Sequence, residues 1–296
     1  MRTSARHKMR VARGERGKEL NLISFVRRHR ARRVRVMSNE DGEWRGASET
    51  RASATQSWAE PELRRIRRLA NEESAREKAR DVIVFVGSSI FREWREMRDF
   101  ERDWLSVGNA RAANRAFGGA TTWDLLDAFD DVMSANEREA RKIVVYYCGS
   151  NDISNGVKPE RAVENFEAFA RRARETSAKS VGFAYVGVID SPQKRLCGMS
   201  DAVRKTNALA KALCEANAEK NYAFVDVTRT FEDADGASKT NMFRDDCTHL
   251  KPESYDALKE CIEPVLLGLI ARVFAKEKDE SVVRDSSDFL PPKPPP

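Results

Sequence analysis

Only one imidazole is available to the folded body of this chain. Of three histidines, His7 and His29 fall in an arginine-rich N-terminal arm, which leaves His249. Any histidine acid–base chemistry near neutral pH must therefore use it. Asp246 stands three residues earlier, in Asp246-Cys247-Thr248-His249. On a turn leading into a helix, residues i and i+3 lie side by side. The carboxylate can then accept from one ring nitrogen and leave the other as a base. Asp245 adjoins it, but the three-residue spacing favours Asp246. Alone, the pattern also describes a capping aspartate beside a surface histidine. A nucleophile is offered by Gly87-Ser88-Ser89, where the apolar run Val82–Val86 stops. On its own this stretch reads as a serine-capped helix start. With His249 and Asp246 at the same edge, Ser89 completes the Ser–His–Asp arrangement of acyl transfer. That chemistry also needs donors aimed at a developing oxyanion. Candidates are the N–H groups of Ser89 and Gly119 and the side-chain amide of Asn151, glycine permitting close backbone approach. Taken singly, Gly118-Gly119 is also a tight turn and Asn151 an Asx-turn.

These residues need elements to bring them together. Val82–Val86, rich in β-branched residues, predicts a strand buried on both faces. Further strands are expected at Arg111–Asn114, Ile143–Cys148, Val181–Val188 and Tyr222–Val227. Helical spacing of apolar residues falls between them: Leu63, Ile66 and Leu69 ahead of the first strand, Phe91, Trp94 and Met97 after it. Thr122 is expected to cap a helix carrying Leu125 and Phe129, and Pro159 to open one carrying Val163, Phe166 and Phe169. A helix is expected over 201–220, and Pro252 opens a last one with Tyr255, Leu258, Ile262 and Leu266. The segments 189–200 and 228–251 read as irregular. Five strands alternating with helices predict an α/β fold, a parallel sheet covered on both faces. The loops after strands one, two, three and five hold the candidate residues, and all four lie at one sheet edge, where open α/β folds bind ligands.

Composition narrows the function classes. The chain has 296 residues, 34% charged and 41% hydrophobic, with a net charge of +6. Residues 1–37 hold thirteen Lys/Arg against two acids, so the remainder carries −5. The basic excess belongs to the arm, and a nucleic-acid-binding body is not expected. Five cysteines show no C-x-x-C pair, which fits thiols in a reducing compartment and offers no zinc site. Redox roles are not expected for Cys148 and Cys247. Trp94 and Trp123 read as core residues before pocket walls. No apolar run is long enough to span a bilayer and no secretory signal is visible, so an intracellular protein is expected, cytoplasmic or organellar. Residues 1–58 are expected to form a disordered arm with transit-peptide character, 59–275 one catalytic domain, and 276–296 a disordered Pro-rich tail.

Four blocks in order, V-F-V-G-S-S-I-F-R-E-W, N-R-A-F-G-G-A-T-T, V-V-Y-Y-C-G-S-N-D-I and F-R-D-D-C-T-H-L, resemble the SGNH (GDSL-type) hydrolases. The likeness is to their small single-domain esterases related to platelet-activating factor acetylhydrolase, and it covers roughly 81–269. It implies a three-layer, flavodoxin-like α/β/α sandwich and metal-free, cofactor-free ester hydrolysis through an acyl-enzyme. Ser89 matches the nucleophile, His249 the base, Asp246 the acid that orients it, and Gly119 and Asn151 the oxyanion residues. Ser88 stands where many members have Asp, Ala116 where a glycine is usual, and Phe91 and Glu93 where residues are smaller or apolar. The glycine pattern is not that of the α/β-hydrolase nucleophile elbow. The expected activity is hydrolysis of a small-molecule carboxylic ester of short-acyl, O-acetyl sugar or lysolipid type. An acyltransferase using the same site, or a catalytically silent binder of acylated ligands, is the alternative. Acyl-chain length and oligomeric state are not legible.

Overall fold

The computed structural model describes residues 48–275 apart from 77–80, 106, 108–109 and 135–136. The expected basic arm up to residue 47 and the Pro-rich tail from 276 lie outside the described residues.

The apolar runs form five strands: β1 (Asp81–Gly87), β2 (Arg111–Asn114), β3 (Arg141–Tyr147), β4 (Val181–Val186) and β5 (Tyr222–Val225). They pair in the order β2-β1-β3-β4-β5, every pairing parallel. Alternation along the strands divides the core in two, as a sheet covered on both sides requires. Val82, Val84, Val144, Tyr146, Phe183 and Tyr185 face one layer of helices. This layer holds α1 (Ser48–Arg76), α4 (Thr122–Asp127), α5 (Phe129–Val132), α7 (Pro159–Thr176) and α9 (Ser200–Ala216). Ile83, Phe85, Ile143 and Val145 face the other, built by α2 (Ser89–Met97), α3 (Phe100–Trp104) and α11 (Ser254–Val273). The α/β/α sandwich follows directly from these two faces.

Several boundaries differ from expectation for local reasons. α1 begins at Ser48, well ahead of the expected Leu63, Ile66 and Leu69, and carries Pro61 within it. Thr121, not Thr122, is the N-cap of α4, because its hydroxyl and the Asp124 carboxylate form a reciprocal capping box. The segment 189–200 contains a short helix, α8 (Pro192–Leu196), capped by Ser191. The segment 228–251 contains α10 (Thr228–Phe231). Between β3 and α7 lies α6 (Ser150–Ser154). The last helix starts at Ser254, with Pro252 in the turn before it.

Candidate active site

The turn after β1 is set by backbone crowding. A Cβ on Gly87 would lie 2.2 Å from the Tyr147 carbonyl oxygen of β3, so only glycine fits there. Ser88 N–H donates to that same carbonyl at 3.2 Å, and Arg92 N–H donates to Ser88 O at 3.1 Å as the helix begins. Ser89 is the first residue of α2, so its N–H lies outside the helix ladder and points to the sheet edge. The helix cannot shift easily. Phe91 and Trp94 are fully buried, and Trp94 Nε1 donates to Asp103 at 2.8 Å. Asn114 donates to Phe91 O at 2.7 Å, and the Tyr255 hydroxyl to Ile90 O at 2.9 Å. Trp94 is thus a core residue; Trp123 is half-buried.

Asp246 and His249 sit in a hairpin-like loop. Phe243 and Leu250 form an isolated antiparallel bridge, Arg244 N–H donates to His249 O at 2.8 Å, and Cys247 takes a left-handed φ of 59°. The Asp246 Oδ1 accepts from the N–H groups of Thr248 and His249, both at 2.9 Å. Its Oδ2 lies 2.8 Å from His249 Nδ1. Partial burial pushes the Asp246 carboxyl up, but the His249 ring and these two N–H donors outweigh it and hold the group well below the usual carboxylate range. A permanently charged Asp246 favours the Nδ1–H tautomer, leaving Nε2 to accept. Nε2 lies 3.0 Å from Ser89 Oγ.

In the loop after β2, Gly119 takes a φ of 76°, where a side chain would be strained. Asn151 donates one amide hydrogen to Ala120 O at 2.9 Å, which leaves the second for a ligand and ties the amide to the residue after Gly119. Gly118 in turn abuts Arg92 of α2, where a Cβ would come within 3.2 Å of Nε. The hydrogen bonds thus draw Ser89, His249 and Asp246 into one chain and tie Asn151 to Ala120, next to Gly119, while Gly118 lies against α2.

Three features were not legible beforehand. Asp152 is buried behind Asn151 and accepts from Thr122 N–H and from the Thr122 hydroxyl at 2.6 Å. Burial pushes its carboxyl up to about 6 against the pull of those donors. Thr122 thus anchors α6 where it was expected to cap α4. Arg244 and its pairing with Glu93 are the other two, and the second oxygen of Glu93 lies 3.7 Å from His249 Nε2. Glu93 lies four residues after Ser89, on the same helix face, which was the available signal. Among the described residues, no group of three or more His, Cys, Asp or Glu is placed to hold a metal ion.

The parallel α/β/α sandwich thus holds a serine, an imidazole and a carboxylate in one hydrogen-bonded chain beside the end of β1. The chain belongs to the GDSL-like lipase/acylhydrolase family, whose pattern matches residues 85–257. It is an ester-hydrolysing enzyme by that membership. Solved structures show the same fold. A Streptococcus pneumonia protein provisionally named a platelet activating factor is 18% identical, with 73% of this chain and 98% of that one covered at a TM-score of 0.56. A GDSL-like lipase from Bacteroides thetaiotaomicron is 18% identical, with coverage of 69% and 98% and a TM-score of 0.52. A variant of Axe2, an acetyl-xylooligosaccharide esterase from Geobacillus Stearmophilus, is 12% identical, with coverage of 63% and 94% and a TM-score of 0.50. No curated protein matches the sequence significantly. Among the described residues no helix is long and apolar enough to cross a membrane.

Proposed function

We propose that this protein is a serine esterase that cleaves small carboxylic esters through an acyl-enzyme on Ser89. The observation that carries this reading is the unbroken chain from Ser89 Oγ to His249 Nε2 at 3.0 Å and from Nδ1 to Asp246 at 2.8 Å. Ser89 Oγ attacks the ester carbonyl carbon as its proton passes to Nε2. The ionised Asp246 stabilises the imidazolium that forms. Charge developing on the carbonyl oxygen is met by the Ser89 and Gly119 N–H groups and the free amide hydrogen of Asn151. His249 then returns the proton to the departing alkoxide. Water, deprotonated by the same nitrogen, releases the acyl group and restores Ser89. Short-acyl esters, O-acetyl sugars and lysolipids are the substrate types to compare, the sugar acetates because Axe2, an acetyl-xylooligosaccharide esterase, shares the fold.

A fluorophosphonate probe and a panel of p-nitrophenyl esters of graded acyl length test this reading. The wild type should be labelled and should hydrolyse the shorter esters. Ser89→Ala should abolish labelling and lower kcat on the order of 10⁶-fold. A wild-type protein that binds acylated ligands yet leaves Ser89 unlabelled would be a silent binder, and the reading would fall.

A further inference from the structure

Ser89 and His249 are 160 residues apart, and their 3.0 Å contact must be held by something other than chain connectivity. The hydrogen bonds within the base loop fix Asp246 relative to His249, but they do not fix the loop relative to α2. One ion pair does. The Glu93 Oε2 of α2 pairs with Arg244 Nη2, which stands at the head of the loop. Glu93 is four residues beyond Ser89 and so on the same face of α2. Its other oxygen, Oε1, is 3.7 Å from His249 Nε2 and 3.8 Å from the Arg92 guanidinium. Arg244 Nη2 also lies 3.8 Å from Asp246 Oδ2, and its own backbone N–H holds His249 O. The guanidinium thus reaches both Asp246 and Glu93 of α2, while the main chain of the same residue holds the loop backbone. The Glu93 side chain is 9% exposed and that of Arg244 32%. A pair so sheltered is screened far less than a surface pair, and removing one partner strands the other.

We infer that Glu93 and Arg244 form a latch that sets the distance between nucleophile and base. They are positioning residues, acting through Ser89 and His249 rather than on substrate. The inference rests on the esterase reading.

The test measures kcat and KM on a p-nitrophenyl ester for Glu93→Gln, Arg244→Met, Arg244→Lys and the double variant Glu93→Gln/Arg244→Met. Each neutral single variant should lose about 10- to 100-fold in kcat with KM nearly unchanged, since misplacement by an ångström costs that much. The double variant should be no worse than the worse single, and Arg244→Lys should recover much of the loss. Thermal unfolding accompanies each variant; if Glu93→Gln does not fold, the more exposed Arg244 variants carry the same expectation. Unchanged kcat, single losses that multiply in the double variant, or a rise in KM at constant kcat would overturn the latch. Fluorophosphonate labelling of the wild type separates the two levels. A labelled, active wild type with an undiminished Glu93→Gln loses only the latch, whereas an unlabelled, inactive wild type overturns both.

Discussion

Ser89 follows a strand buried from Val82 to Gly87, through a glycine that nothing else could replace, and opens a helix whose Phe91 and Trp94 have no exposed surface. His249 sits on a loop whose acid partner is 41% exposed and whose shape comes from three hydrogen bonds to one carboxylate. One half of the site is held by apolar packing around a sheet. The other is anchored in the core by Phe243 and Leu250, but its tip, with Asp246 and His249, is shaped by polar contacts. Packing of the first kind is cooperative with the whole fold, so damaging it should cost stability. The polar loop can be damaged without unfolding the body, so there the cost should fall on the chemistry.

The largest expected effect sharpens that division. Asp246→Asn keeps the shape of the side chain but presents an amide N–H to His249 Nδ1, which favours the wrong tautomer. A loss on the order of 10⁴-fold in kcat is expected, together with a lower melting temperature at pH 7 in a variant that still folds. Because the folded carboxyl is held below the usual range, its contribution to stability is fully present above pH of about 4. It fades as the pH falls towards the folded value, so the stability difference between Asp246→Asn and wild type should shrink in acid. Steady-state kinetics and denaturation at several pH values check both halves. Trp94→Ala is the converse, removing a buried ring that packs on Phe85, Phe100, Trp104 and Tyr255. Urea denaturation should show a loss of about 3–5 kcal/mol. A loss well under 1 kcal/mol would break the comparison, because the helix that carries Ser89 would then not depend on its apolar face.

The same division explains what could be read from the sequence. β1, β3 and β4 announce themselves as runs of β-branched and aromatic residues, and the observed strands fall within two or three residues of expectation. The four-residue β2 was legible only because the alternation of elements demands a strand there. Ser89, Gly119, Asn151, Asp246 and His249 stood out because each breaks the chemistry of its surroundings at the end of a strand or the start of a helix. Contacts between charged side chains carry no such signature. The Glu93–Arg244 pair joins residues 151 apart, and either could have been an ordinary solvated charge. Thr121 and Thr122 are adjacent and chemically alike, so which one caps α4 was decided by the tertiary pull of Asp152 on the second.

The smallest expected effect concerns the side of the base loop facing away from α2. Gln193 N–H at the start of α8 donates to Cys247 O at 2.9 Å, so the loop also rests on α8. The next residue, Lys194, is 2% exposed and reaches the Ser154 hydroxyl of α6. Burial lowers its ammonium to about 8, only partly offset by Cys197, Asp190 and Asp152. A folded value below the usual 10.4 means that the unfolded chain binds the extra proton between those limits. The cost of burying the charge is therefore fully present below about pH 8 and is relieved as the pH rises to about 10.4. Lys194→Met, similar in volume and uncharged, should stabilise the protein by about 2 kcal/mol at pH 7, and the gain should vanish near pH 10.5. Denaturation of variant and wild type at pH 7 and pH 10.5 reads the difference directly. A variant less stable than wild type at both pH values would mean that the Lys194–Ser154 contact outweighs the buried charge, and that α8, like the base loop it supports, is held by polar contacts.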